Sequence, residues 1–316
     1  MLKRKDIALL EAVRRIARNL KILLSKDIEP SFQDSTREIK HDLEKQRKYI
    51  SQLSDENLFL FRALFDQTQN DEIFGEDVWL KEAKDKHKGE RCFILATGPS
   101  LNKIDLSKIK GEVIFGVNGI YKIAQEIELM YFVYVSNWYW KHHKEGIRNV
   151  KCYRRFIPKH IPDLSSDIPT SWLNVLLPRY YTFNEYKLPV PASFSYYPNK
   201  YIFAGGTVLY LCFQLAFYMG FKTVIMLGLD HSYRKGEDHF AKKHGGIVFK
   251  SATQNMEHFD KAYIPSDVCY HVDLNAMEQC YLMAETIFTN DGREILNASP
   301  GTHLDIFKKI EYEKLF

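Results

Sequence analysis

The sequence predicts an α/β domain on a largely parallel sheet, preceded by a helical region. Three observations point to it. From about residue 88, short apolar runs ending in small polar residues alternate with helical segments, which is the βαβ signature. Residues 1–85 hold a single proline, Pro30, few glycines and long stretches of helical apolar spacing. The chain has 316 residues, above the roughly 100–200 of an ordinary domain, so one large domain (86–316) with a helical appendage (1–85) fits best.

The appendage opens with Ile7, Leu10, Val13, Ala17, Leu20 and Leu24 at helical spacing. Residues 1–26 carry eight basic side chains against Asp6 and Glu11, a local excess of +6 in a chain whose net charge is +4, so the remainder sums to about −2. A basic amphipathic helix of this kind can make peripheral contact with an anionic membrane or a partner, although packing on its own protein is the commoner outcome. Arg14, Arg15, Arg18 and Lys21 interrupt the apolar run, so the continuous core of a secretory signal is missing and a cytoplasmic protein, membrane-associated at most on the inner face, is expected. A second helical stretch carries Ile39, Leu43, Tyr49, Ile50 and Leu53, too irregular for a sustained heptad seam but open to homo-oligomer formation.

The strands follow in order. CFILA (92–96) ends at Thr97-Gly98-Pro99-Ser100, VIFGV (113–117) at Asn118-Gly119, and LMYFVYV (129–135) at Ser136-Asn137. A less readable Pro- and Tyr-rich stretch leads to Gly205-Gly206-Thr207 and an apolar helix, VLYLCFQLAFYM (208–219), too short for the roughly 20 residues of a membrane span. TVIMLGLD (223–230) and EILNA (294–298) supply two more strands, the last ending at Ser299-Pro300-Gly301-Thr302. In open α/β sheets ligands bind outside the carboxyl ends of the strands, so these turns should build the site.

Composition narrows the function classes. With 45% hydrophobic and 27% charged residues the chain can bury a sizeable core, and the small net charge does not indicate a nucleic-acid partner. The five cysteines, Cys92, Cys152, Cys212, Cys269 and Cys280, form no CxxC pair, which suits a reducing compartment.

Among the candidate site residues, Thr97, Gly98, Pro99 and Ser100 follow the first strand, where a glycine without Cβ lets backbone amides approach a phosphate; a tight structural turn reads equally well. Gly205 and Gly206 precede Thr207, a natural N-cap for a helix whose first N–H groups favour an anion. Asn118 and Asn137 each fall just past a strand, where an amide can read a base or ribose edge or simply make a turn. Asp230, His231 and Tyr233 follow a central strand, with His239, His244, His258 and His271 downstream. No tight metal-ligand spacing appears, so no metal is expected. Histidine can take a proton from an attacking hydroxyl near neutral pH. Lysines and arginines over 141–159 interleave with Trp138, Trp140, Tyr153 and Phe156, which reads as a solvated face covering the sheet edge ahead of a base-stacking surface.

Together, FILATGPSLNKIDLSKIKGEVIFGVNGIY, FAGGTVLYLCFQLAFYMGFKTVIMLGLDHSY and DGREILNASPGTHLDIFKKIEY resemble the bacterial motility accessory factor and 6-hydroxymethylpterin diphosphokinase MptE-like domain family, over about residues 88–316. That core is similar to the bacterial sialyltransferases that use CMP-sialic acid. The resemblance implies a Rossmann-like sheet with helices on both faces, the GT-A variant. It implies a glycosyltransferase moving a nonulosonic acid from a CMP-sugar donor to a glycan or protein acceptor without metal or cofactor. By position, Gly98, Pro99 and Ser100 would line phosphate and ribose, Asn118 and Asn137 the cytidine, and Gly206 and Thr207 the loop beside the donor. His258 or His271 would be the base, and Tyr233, with His231 beside it, would hold the leaving phosphate. Thr97 stands where the sialyltransferases have Asn. The alternative within the resemblance is Mg-dependent transfer of diphosphate from ATP to a pterin alcohol.

Overall fold

The computed structural model describes residues 77–135, 137–161, 164, 167–176, 181–183, 186–188, 193–232, 240–243, 246–249, 258–260, 269–270 and 274–316. All of them fall in the unit Phe74–Phe316. The expected helices of residues 1–76 lie outside the described residues.

Eight strands form the main sheet: β1 (Arg91–Leu95), β2 (Ile114–Val117), β3 (Tyr131–Val133), β4 (Arg154–Pro158), β5 (Thr170–Leu173), β6 (Thr223–Leu227), β7 (Glu294–Asn297) and β8 (Lys308–Lys309), in the order β8-β7-β6-β1-β2-β3-β4-β5. Every neighbouring pair is parallel. The central strands are apolar on both faces, as a sheet covered on both sides requires. Cys92, Ile94, Phe115, Val117, Tyr131, Val133, Val224 and Met226 share one core with three helices: α1 (Val78–Glu82), α3 (Val208–Tyr218) and α4 (Leu274–Asn290). Phe93, Leu95, Ile114, Phe132, Ile225 and Leu227 share a second core with α2 (Asn137–Arg148) and several 3-10 turns. This is a Rossmann-like α/β fold. Leu80 of α1 and its C-cap Ala83 are buried in the first of these cores, so the packed domain includes chain N-terminal to residue 86.

Helix α3 is apolar around nearly its whole circumference and is buried accordingly. Its C-terminal end meets the chain just before β1: His87 N–H donates to Met219 O at 2.8 Å and Gly89 N–H to Gly220 O at 3.1 Å. Running antiparallel to the strands, α3 therefore starts at their carboxyl edge.

The basic segment over 141–159 is only in part a solvated face: Lys151 and Lys159 are exposed, while Arg155 is not. Residues 141–148 belong to α2 and 154–158 form β4, with Trp140 and Phe156 in the core. Arg155 is fully buried and caps the end of α2, donating from its guanidinium to Ile147 O (3.0 Å) and Arg148 O (3.2 Å), and to Thr170 Oγ1 (2.8 Å) on β5. The carbonyl end of a helix attracts a cation, which is why this charge lies inside.

Smaller pieces flank the sheet: a parallel pair (Val175–Leu176 with Ile202–Phe203) and two antiparallel groups. No helix among the described residues is long and apolar enough to cross a membrane.

Candidate functional site

The strand order turns around at β1. From β1 the chain steps outward through β2 to β5, then returns to the other side of β1 as β6 and continues to β7 and β8. The crevice at such a switch point is where open α/β sheets bind ligands. In this protein the switch point falls at the turn after β1 (Thr97–Ser100) and the turn after β6 (Gly228–His231).

Those two turns are joined directly. Gly98 N–H donates to Gly228 O at 2.9 Å, and Ser100 N–H to Asp230 Oδ2 at 2.8 Å, while Ser100 Oγ–H donates to Asp230 Oδ1. A side chain at Gly98 would clash with Gly228 O and place its Cβ 2.8 Å from Asp230 Cγ, so glycine is required by the close approach. Ser100 is 3% exposed. The turn's amides, expected to face a phosphate, are thus turned inward: Gly98 and Ser100 brace the second turn, Leu101 N–H returns to Gly98 O, and Pro99 has no N–H.

His258 joins the same cluster. Its Nδ1 lies 2.9 Å from Thr97 Oγ1, and Phe259 N–H donates to Thr97 O at 2.7 Å. Burial, opposed by the hydrogen bond to Thr97 and by Asp260, pulls His258 down to about 4, so the imidazole is neutral at pH 7. The segment is fixed at both ends: Asn102 Nδ2 donates to Phe259 O at 2.9 Å, and Lys122 pairs with Asp260. Lys122 belongs to the 3-10 turn Asn118–Ile123 after β2, itself tied to α2 where Tyr121 Oη and His143 Nδ1 lie 2.8 Å apart. Asn118 opens that turn in the left-handed region (φ 48°), and its buried Oδ1 has no hydrogen-bond partner among the described residues.

The turn after β6 is held from a third side. Leu229 N–H donates to Ser299 Oγ (2.8 Å), Thr302 Oγ1–H to Leu229 O (2.7 Å), and His303 N–H to Asp230 O (2.9 Å). His231, also left-handed (φ 54°), places Nε2 2.8 Å from Glu278 Oε1 on α4.

Gly205, Gly206 and Thr207 stand at the same edge, at the start of α3. Both glycines have positive φ (55° and 73°), and Thr207 Oγ1 accepts from Leu209 N–H at 3.3 Å, which confirms it as the N-cap. Asn137 begins α2 beyond β3, and its side chain lies outside those described. Tyr233, His239, His244 and His271 lie outside the described residues as well.

The structure therefore brings Thr97, Gly98, Pro99, Ser100, Asp230 and His258 into one bonded cluster, with His231 and Asn118 flanking it. Sequence reading missed Asn102, Lys122, Asp260 and Glu278. The Ser299–Thr302 turn, expected at the site as the polar end of a strand, does reach it.

Magnesium fits poorly with these carboxylates. Asp230 is occupied by Ser100, Asp260 by Lys122 and Glu278 by His231. Among the described residues no group of three or more His, Cys, Asp or Glu side chains is arranged to hold an ion.

Fold and turn geometry together define a Rossmann-like α/β protein with its candidate site at the sheet's switch point. The chain belongs to the 6-hydroxymethylpterin diphosphokinase MptE-like family, whose model matches residues 74–236, just over half its length. No curated protein and no solved structure matches it.

Proposed function

We propose that this protein is a transferase that binds a nucleotide-activated donor in the β1/β6 crevice, and that the donor is a CMP-linked nonulosonic acid. The observation that carries the reading is the neutral, buried His258 hydrogen-bonded to Thr97 at the switch point, with α3 beginning at the same sheet edge.

In this reading the first amides of α3, behind Gly205 and Gly206, receive the donor phosphate. Asn118, whose buried carbonyl has no partner among the described residues, and Asn137 read the cytosine or ribose edge. An acceptor hydroxyl attacks the anomeric carbon, the bond from that carbon to the phosphate oxygen breaks, and CMP leaves with the electron pair. The hydroxyl proton passes to His258 or His271, while Tyr233 and the α3 terminus hold the departing phosphate. Asp230 acts as a positioning residue, holding Ser100 and through it the turn that carries Thr97. The commitment of Asp230, Asp260 and Glu278 to protein donors favours a mechanism whose phosphate charge is met by amides and hydroxyls. The acceptor is a surface glycan or protein met on the cytoplasmic side.

Family membership favours a second reading, transfer of diphosphate from ATP to a pterin alcohol with Mg²⁺. Calorimetric titration with CMP, CDP, UDP and ATP, each with and without Mg²⁺, separates the two. The sugar-transfer reading expects CMP to bind without Mg²⁺, more tightly than UDP. Tight Mg²⁺-dependent ATP binding with no response to CMP would replace it with the diphosphokinase reading, and no response to any nucleotide would remove both.

A further inference from the structure

A groove of about 700 Å³ opens between Lys103–Ile104, the Asn297–Thr302 turn after β7 and the segment following β8. That volume lies within the roughly 300–1,000 Å³ of small-ligand sites. Two of its walls are outer surfaces of the site described above. Ser299 and Thr302 hold Leu229 from this side, and Lys103 closes the 3-10 turn Pro99–Lys103 that carries Ser100. At a rise of about 2 Å per residue, Lys103 starts only about 6 Å along that turn from Ser100. Ile104 and Ile310 give the groove partly buried apolar surface. Tyr312 is buried there, with its hydroxyl spent on Asp105 O at 2.8 Å.

The charges around this groove balance except at one place. Lys309 pairs with Asp305 (2.6 Å), Lys314 with Glu311 (3.0 Å), and Glu313 with Lys108. Lys103 has no anionic partner among the described residues. An uncompensated ammonium at the end nearest the Ser100 turn, beside the exposed backbone of Pro300–Gly301, suits a hydroxylated ligand carrying one anionic group.

We propose that this groove is the acceptor subsite and takes an anionic saccharide, with its carboxylate or phosphate against Lys103 and its hydroxyls along the Ser299–Thr302 backbone. The assignment rests on the sugar-transfer reading of the adjoining crevice. Saturation-transfer NMR on the full chain would compare sialyllactose (carboxylate), lactose 6-phosphate (phosphate) and lactose (neutral), with calorimetric CMP titration in parallel. At least one acidic sugar should bind and lactose should not, and which acidic sugar responds names the anion. Lys103→Glu should weaken the acidic ligand by about tenfold or more, and Lys103→Arg should retain it. CMP affinity should stay unchanged in both variants. Equal binding of neutral and acidic sugars, no binding of either acid, or an unaffected Lys103→Glu variant overturns the proposal. Lys103-dependent binding of acidic sugar without CMP binding would leave the groove assigned and remove the donor reading, whereas CMP binding alone would do the reverse.

Discussion

Replacing His258 with glutamine should remove a specific part of the protein's acid sensitivity. In the fold, burial holds this imidazole at about 4, against an ordinary value of 6.5. The unfolded chain therefore takes up a proton below about pH 6.5 that the native protein refuses until about pH 4. Where the unfolded state binds more protons, stability falls as pH falls. The stability is intact above pH 6.5 and declines through the interval down to about 4. The full gap corresponds to about 3 kcal/mol, of which about 2 kcal/mol is gone by pH 5. Glutamine keeps a polar side chain at the position but does not titrate there. Urea denaturation of wild type and His258→Gln at pH 7 and pH 5 isolates the effect, because other titrating groups cancel in the difference of differences. Wild type should lose about 2 kcal/mol more than the variant between the two values, which for a domain of this size is roughly 4–8 °C in melting temperature. Losses equal to within about 0.5 kcal/mol would refute the argument that His258 is buried and neutral against Thr97.

Further consequences can be checked by mutation and labelling. Gly98→Ala drives a methyl into Gly228 O and Asp230, and should cost about 1–3 kcal/mol in urea denaturation and weaken nucleotide binding. Asp230→Asn removes the charge that accepts both Ser100 donors; a loss of about 2 kcal/mol is expected, together with weaker nucleotide binding by calorimetry. Arg155→Lys keeps the charge but cannot reach the α2 carbonyls and Thr170 together, so a drop of at least about 2 kcal/mol should appear in denaturation. Burial pushes the Cys152 thiol up to about 12 and Cys280 to about 11, and raises Cys92 and Cys212 as well. Mass-spectrometric mapping at pH 8 should find these four alkylated slowly in the native protein and rapidly in urea.

The central strands were legible because burial on both faces leaves nearly unbroken apolar runs. The expected 92–96, 113–117 and 294–298 correspond to β1, β2 and β7 within a residue at each end. The expected strand 223–230 stops at Leu227, since Gly228 adopts positive φ (74°) and starts the site turn. Helix α3 was equally clear, and Thr207 was read correctly as its cap. The outer strands β4, β5 and β8 were not legible. Strand β4 opens with Arg154 and Arg155, and nothing local reveals that Arg155 turns inward to the carbonyl end of α2 and to Ile168 O, thirteen residues further along the chain; β8 is two lysines. For the site, the turn positions were readable from where strands end. Which hydrogen bonds they make was not, because Asp230, His258 and Ser299 reach their partners across 130, 161 and 70 residues of sequence.

The three-sided bracing of the Gly228–His231 turn bears on how the protein can be shortened. The family's matched segment stops at residue 236, yet two of the three braces come from Glu278 and from 299–303. A fragment trimmed to that segment would keep the strands β1 to β6 and lose the scaffolding that shapes their rim. Anyone grafting this crevice onto another protein, or expressing it alone for screening, would need to carry the downstream residues through at least His303.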